Sequence, residues 1–174
     1  MDDKLQFVTS ELWILAWGAS VQRAKLYKDG VNSNSNEVSA FRESVIRFII
    51  ENILPQYIDG STEEQHYKNI DDLIVHANEV DPGILNQSGY KYGVAQKLLN
   101  LALKYYWCLG LVKEPPHCPV DRIVISKTRY RGQINWTQIT ERPQYQKVIE
   151  AIKIIANKNR LSIPMWELTF FRRR

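Results

Sequence analysis

The chain has few of the residues that build metal centres and nucleophilic catalytic sites. Its 174 residues include only two cysteines and three histidines. These five residues do not show the short pair spacing of a zinc site, so we expect no metal and no other cofactor. His117 stands beside Cys118, but adjacent side chains rarely point together, which argues against a Cys/His nucleophile. The absence of a glycine-lysine phosphate loop excludes the P-loop class.

Long hydrophobic runs are also missing. Charges interrupt the apolar runs well before the roughly 18 residues that a membrane span needs, so we expect no membrane helix. Two cysteines and no signal-peptide pattern at the start favour a reducing, cytoplasmic location. The composition is 44% hydrophobic and 24% charged, as in soluble globular proteins. The length suits one domain, residues 1–174.

Charge is distributed unevenly between the two halves of the chain. Residues 1–88 hold 7 Lys and Arg against 14 Asp and Glu, a net charge of −7. Residues 89–174 hold 16 against 5, a net charge of +11, so the whole chain has a net charge of +4. Clustered Lys and Arg displace counterions from nucleic acid, so the basic half favours a polyanionic partner. The alternative is that the two halves attract each other and their fields largely cancel.

Apolar residues recur at helical spacing through most of the chain, and no stretch alternates with period two. We therefore expect an all-α fold, an orthogonal bundle of six to seven helices around a central apolar helix. In the first predicted helix, Leu5, Val8, Leu12 and Leu15 lie near helical spacing, and Trp13 and Trp17 are four residues apart. The predicted helices span residues 4–28, 38–54, 61–79, 92–109, a short piece within 119–126, 143–159, and a short terminal segment capped by Ser162. Ser61 and Glu64 form the predicted capping box of the third helix.

The predicted central helix, 92–109, covers nearly all of "GVAQKLLNLALKYYWCLG" (93–110), a stretch that is apolar on nearly every side. It nevertheless carries Gln96, Lys97, Asn100 and Lys104. The last three are spaced i, i+3 and i+7, so they form one stripe, which we expect to face water or a cleft. A simple solvated stripe is the alternative to a functional one.

Lys97 and Asp121 are the candidate catalytic pair. Burial beside apolar walls lowers the pKa of a lysine, and its free amine can then attack a sugar C1′ or a carbonyl. Asp121 follows "CPV" in a segment that returns toward the central helix, where a carboxylate can stabilise developing positive charge or orient water. In the alternative interpretation, Asp121 is a first-turn helix residue favoured by the helix dipole, or an ion-pair partner.

"YGVAQKLLN" (92–100) and "CPVDRI" (118–123) together resemble the hairpin and catalytic loop of the helix-hairpin-helix DNA glycosylase superfamily. In that family a glycine-rich turn presents a lysine, and a Pro-Val-Asp segment supplies an aspartate. The resemblance matches Gly93 and Val94 to the turn, Lys97 to the Schiff-base lysine and Asp121 to the essential carboxylate. The chain departs from the pattern at Ala95, where the second turn glycine is expected.

The resemblance implies a DNA N-glycosylase or abasic-site lyase. In that family the backbone N–H groups of the hairpin hold DNA phosphate, the damaged base is flipped out, and lysine displaces it to form an imine. The resemblance covers about thirty of the 174 residues. Arg122 also follows Asp121 in a region where the family often has a histidine one place further on.

A basic, aromatic segment, "KTRYRGQINW" (127–136), has no helical period and is predicted to be a loop. Base stacking and phosphate contacts would explain its composition, and the terminal arginines 172–174 form a generic basic tail. The predicted nucleic-acid contacts, DNA in particular, are Gly93, Asn100, Lys104, Arg122, Lys127, Arg129, Tyr130, Arg131 and Trp136. Two further hypotheses remain open: a non-catalytic helical module that binds nucleic acid or protein, and a protein-interaction domain that uses its charge-segregated surfaces.

Overall fold

A computed structural model describes residues 2–171, which form seven α-helices and no strand. The all-α prediction is confirmed. Two irregular turns extend α2, a π-helical turn, Ile49–Ile53, and a 3-10 turn, Leu54–Tyr57; a second 3-10 turn, Trp136–Gln138, precedes α6. None of the described helices combines the length and hydropathy that crossing a membrane requires. The helices are α1 Asp3–Val21, α2 Asn36–Phe48, α3 Glu63–Val80, α4 Tyr92–Cys108, α5 Arg122–Ile125, α6 Arg142–Lys158 and α7 Ile163–Phe170.

The central position of α4 follows from its composition. Every residue from Tyr92 to Lys104 is buried, so all sides of these three and a half turns contact protein. The helix packs against α1, α3, α6 and the Trp136–Gln138 turn. A helix that is apolar all round belongs in the middle of a core, and the prediction of a central helix here is confirmed.

The first helix is shorter than predicted. It ends at Val21, not near residue 28, and Lys25 adopts a left-handed backbone with a φ of 48°. The backbone then pairs with residues 84–86: Lys28 N donates to Ile84 O at 2.9 Å, and Asn86 N donates to Leu26 O at 3.0 Å. The buried side of α1 carries Trp13 and Trp17, whereas Val8 and Leu15 are exposed.

The cap of α3 also differs from the prediction. Thr62, not Ser61, is the N-cap, and its hydroxyl accepts a hydrogen bond from Gln65 N at 3.1 Å. The hydroxyl cap is therefore present one residue later than predicted, whereas the Gln65 side chain donates to Asn69 Oδ1 at 3.0 Å. The other helix starts agree with the sequence: Pro143 lies in the first turn of α6, and the Ser162 hydroxyl caps α7 by accepting from Met165 N.

Two matching hydrogen-bond relays lie between α3, α4 and α6. Asn69 donates to the Tyr57 hydroxyl at 3.1 Å, and that hydroxyl lies 2.7 Å from His66 Nδ1. Asn100 donates to the Tyr145 hydroxyl at 3.0 Å, and that hydroxyl lies 3.0 Å from His117 Nδ1. The two imidazole rings meet edge to face with centroids 4.7 Å apart. Each tyrosine hydroxyl accepts from an amide and lies within hydrogen-bond distance of an imidazole nitrogen. His66 Nε2 and Asn100 Oδ1, at the ends of the relays, are buried without a hydrogen-bond partner among the described residues.

The acidic first half contacts the basic second half along α3 and α6. Arg142 pairs with Glu64 at 3.0 Å and with Asp71, while Lys153 pairs with Glu63 at 3.5 Å. This is the attraction between halves that the charge distribution allowed. These ion pairs use only part of the positive charge of the second half, because the basic side chains between α5 and α6 do not lie at the contact between α3 and α6.

Candidate functional site

The polar stripe of α4 divides: Lys97 lines a cavity, whereas Asn100 and Lys104 face protein. Asn100 is fully buried and donates to Tyr145, and Lys104 donates to both carboxylate oxygens of Glu167, at 2.9 and 2.7 Å. Burial raises the pKa of Glu167, and the hydrogen bond from Lys104 opposes that rise. Asn100 and Lys104 are therefore not available to nucleic acid, which corrects their assignment as contacts: both hold the helix in the core.

Gly93 has a packing role that differs from the one implied by the hairpin resemblance. It lies in the first turn of a continuous helix, and its N–H donates to Ile139 O at 2.9 Å, so this group is not free to bind phosphate. A Cβ at this position would lie 1.9 Å from Trp136 O. The glycine is required because the backbone of the Trp136–Gln138 turn touches α4 here. Its assignment as a nucleic-acid contact is therefore corrected.

Gln96 fixes the loop that carries Asp121. Its amide nitrogen donates to Val120 O at 2.8 Å, and its amide oxygen accepts from Val120 N at 3.1 Å. The next residue, Asp121, is the N-cap of α5, and its Oδ1 accepts from Ile123 N at 2.8 Å and Val124 N at 3.0 Å. Because Gln96 immediately precedes Lys97, one side chain holds both candidate catalytic residues in a fixed relation.

Lys97 has an unusual environment for a lysine. It is 9% exposed, and its amine lies 4.0 Å from the centroid of the Trp136 ring. Burial lowers its pKa below the usual value; Asp121 acts in the opposite direction and Arg23 in the same direction as burial. Among the described residues no carboxylate lies within ion-pair distance of the Lys97 amine. A cation–π contact stabilises an ammonium less than a buried carboxylate does, so the amine is easier to deprotonate.

Lys97 and Asp121 line one cavity of about 370 Å³. Its walls also include two arginines, Arg23 from the end of α1 and Arg122 from α5. The cavity therefore brings together a partly desolvated amine, two guanidinium groups and two carboxylates, those of Asp121 and Glu167. The remaining lining residues are Ala19, Gln22, Leu101, Pro119, Ile123, Trp136 and Phe171.

A larger cavity of about 800 Å³ adjoins the first, and Arg23, Arg122, Ile123 and Trp136 line both. We call the two together the arginine cleft. The larger cavity adds Arg131 from the basic loop, and no Asp or Glu lines it among the described residues. Arg23, Arg122 and Arg131 form no ion pair within the part of the chain that the structure describes. The other lining side chains are mainly uncharged: Ile125, Ser126, Gln133, Ile134, Asn135, Thr137 and Gln138.

The basic loop divides into exposed and buried residues. Lys127, Arg129 and Arg131 are exposed, and Arg129 donates to the Tyr130 hydroxyl at 3.1 Å. Trp136 is only 4% exposed, so its ring packs in the core and is not open to the base stacking predicted from the composition of this segment. Its ring supports Lys97 and forms cavity wall. The terminal arginines 172–174 lie outside the described residues.

Several site residues had no signal in the sequence pattern. Arg23 belongs to the acidic half and reaches the cleft only because α1 ends before it. Gln96 stood out as polar in an apolar helix, but nothing local identified Val120 as its partner. Burial raises the pKa of the Cys118 thiol well above its usual value, which disfavours its thiolate form. In residues 2–171 no cluster of three His, Cys, Asp or Glu side chains is placed to hold a metal.

The arginine cleft is thus defined by its own geometry and chemistry. No protein-family model matches the chain, and neither a curated protein nor a solved structure matches it.

Proposed function

We propose that the protein binds nucleic acid in the arginine cleft. The observation that carries the proposal is the convergence of Arg23, Arg122 and Arg131 on the larger cavity of the cleft, which no Asp or Glu lines among the described residues; Asp121 and Glu167 line only the smaller cavity. Guanidinium groups present planar, forked donors that match phosphate oxygens, and unpaired ones lose no internal ion pair on binding. A phosphate backbone in the cleft would satisfy all three.

The uncharged side chains of the same cavity extend the proposal from phosphate to nucleotides. Gln133, Asn135 and Gln138 line this cavity. Gln133 Nε2 already donates to Arg129 O at 3.3 Å and Asn135 Oδ1 accepts from Thr137 N at 3.1 Å, so the Gln133 oxygen, the Asn135 nitrogen and the Gln138 amide are the groups proposed to meet a ligand. Amides of this kind pair with base edges, whereas the arginines hold the backbone. The combination favours a nucleic acid over a simple inorganic anion. The class of nucleic acid proposed is DNA, in keeping with the resemblance of residues 92–100 and 118–123.

Binding of a fluorescent DNA oligonucleotide over a salt series tests this proposal. We expect Arg122→Gln and Arg131→Gln each to weaken binding and to reduce the log–log salt slope by about 1, because each removes one phosphate contact. Arg142→Gln is the matched control, because Arg142 is paired with Glu64 and Asp71 on α3. Equal effects of all three substitutions, or no binding at low salt, would contradict a specific cleft.

A second candidate function, an abasic-site lyase, rests on Lys97. Its amine lacks a carboxylate partner and shares a cavity with Asp121 that adjoins the phosphate-binding arginines. Attack of the amine on the C1′ aldehyde of an abasic site would give a carbinolamine, which loses water to form an imine. Loss of a C2′ proton from the imine then expels the 3′ phosphate. Oδ2 of Asp121 makes no backbone cap contact and is the candidate group to receive protons.

Borohydride trapping on abasic duplex DNA separates this activity from binding alone. We expect a covalent adduct with the unaltered protein and with Lys127→Met, whose lysine is exposed, and no adduct with Lys97→Met. Retained DNA binding without any adduct would favour a non-catalytic binding module. A flat salt response together with capture of an acidic protein would favour the protein-interaction alternative.

A further inference from the structure

The outer side of α1 is apolar and uncovered. Phe7 is 66% and Ile14 61% exposed, and Val8 and Leu15 lie beside them on the same side. Phe7, Glu11, Ile14 and Gly18 follow one another at steps of four, three and four, so they form one stripe along the helix. This stripe lies opposite the tryptophan side that packs in the core.

Packing within one copy of the chain does not explain why residue 18 is a glycine. A Cβ at Gly18 would meet nothing within 4 Å, and the residue has ordinary helical backbone. Glycine in the middle of a helix is destabilising relative to alanine, and its absent side chain matters only where something approaches closely. In the isolated chain nothing does.

We propose that α1 pairs in antiparallel fashion with α1 of a second copy of this chain. A two-fold axis that passes between Glu11 and Ile14 pairs the stripe with itself and sets Glu11 of each copy beside Ile14 of the other. That axis brings Phe7 of each copy onto Gly18 of the other, a large side chain into the gap left by a missing one. Such matching of one surface with itself is what an isologous dimer interface requires.

Charges at the two ends of the helix support the antiparallel direction. Asp2 and Asp3 lie at its start and exposed Lys25 just beyond its end. The proposed axis brings the acidic end of one copy to the basic end of the other. A parallel arrangement would place like charges together. The scarcity of basic residues on α1, where Lys4 stands alone, also favours a protein partner over an anionic membrane surface.

The interface is small, so we expect a dissociation constant in the range of roughly 10–100 μM. Sedimentation equilibrium over a concentration series that spans this range measures it. We expect Ile14→Glu to weaken association by at least about tenfold. Ile154→Glu, at an exposed isoleucine of α6, is the matched control and leaves association unchanged. Gly18→Ala raises the melting temperature, because alanine favours the helix, yet weakens the dimer.

Disulfide trapping tests the direction of pairing in a Cys108→Ser background, since Cys108 is exposed. A mixture of the Phe7→Cys and Gly18→Cys variants forms a mixed disulfide, whereas neither variant alone forms one. Any of four results overturns the proposal: a protein that stays monomeric throughout, equal weakening by both glutamate substitutions, tighter association of Gly18→Ala, or disulfides within each single variant. Binding to lipid vesicles by a monomeric protein would assign the face to membrane instead.

Discussion

Two regions of the molecule hold basic side chains of the second half in contrasting surroundings. At α3, α6 and α7, Arg142, Lys153 and Lys104 each face a carboxylate. In the arginine cleft, Arg122 and Arg131 face a cavity instead, and Lys97 rests on a tryptophan ring. Two lysines of α4, 97 and 104, are equally buried at 9% exposure and yet belong to different regions.

The presence or absence of a carboxylate partner distinguishes cations that stabilise the fold from cations that are available to bind an anion. A cation that already holds a carboxylate gains little from a new anionic partner, because it must first give up the old one. A cation without such a partner contributes little to folding and keeps its capacity to bind. Net charge alone therefore overstates the surface open to a polyanion, and the location of the unpaired cations identifies it.

Loss of a paired lysine is the largest expected effect. Lys104→Met leaves the Glu167 carboxylate buried without its partner, so we expect the free energy of unfolding to fall by about 3–5 kcal/mol. The double variant Lys104→Met/Glu167→Leu should recover most of this loss. Lys97→Met, at an equally buried lysine, should change it by less than about 1 kcal/mol. Urea denaturation of the two single variants measures this difference. A similar loss of unfolding free energy for Lys104→Met and Lys97→Met would contradict the distinction between paired and unpaired lysines.

Acid should weaken the paired region through its buried histidines. Burial, and secondarily Lys153, lowers the pKa of His117 to about 3, and burial lowers the pKa of His66 well below its usual value. Unfolded histidine takes up a proton near pH 6.5, so below that pH the unfolded state binds more protons, and stability falls as pH drops. We expect a loss of up to about 1.4 kcal/mol per pH unit for each histidine.

Denaturant unfolding measured between neutral pH and pH 4 checks this dependence. The free energy of unfolding continues to fall as the pH drops toward the folded-state pKa of each histidine, and it levels off below that pKa. His117→Gln should reduce the slope by one histidine's share, even though it lowers stability at neutral pH by disturbing Tyr145. An unchanged slope in that variant would show that His117 is not the titrating group.

A smaller loss of stability is expected from adding a side chain at Gly93, where α4 touches the Trp136–Gln138 turn. Gly93→Ala forces the Trp136 backbone away from α4, and overpacking of this kind costs about 1–3 kcal/mol. It should also shift the tryptophan away from the Lys97 amine and weaken DNA binding. Gly18→Ala provides the control, because a Cβ at that position meets nothing of the same chain within 4 Å. Thermal melting of both variants should move in opposite directions, and a neutral Gly93→Ala would show that the turn yields easily.

Most of the helical architecture could be predicted because it depends on local periodicity. The centres of the long helices, Pro143 at the start of α6 and the Ser162 cap all follow from nearby residues. The end of α1 could not be predicted, because it depends on pairing between Leu26 and Asn86, sixty residues apart in the chain. The error at Ser61 arose because Thr62 provides an equivalent hydroxyl cap one step along.

The candidate site was predictable only where chemistry and local pattern coincided. An amine in an apolar helix identified Lys97, and the segment that returns toward that helix identified Asp121. The fate of the polar stripe was not predictable, since Asn100 and Lys104 find their partners on α6 and α7. Gly93 resembled a phosphate-binding turn, but the reason for glycine there is contact with residues about forty positions later.

The paired relays between α3, α4 and α6 constrain which amino-acid substitutions this protein can accept during evolution. Each asparagine, tyrosine and imidazole leaves its neighbour unsatisfied if it alone is replaced. Substitutions at Tyr57, His66, Asn69, Asn100, His117 and Tyr145 should therefore be accepted together or not at all. Among diverged descendants of this chain, those six positions would vary as a block while the arginine cleft remains free to drift residue by residue.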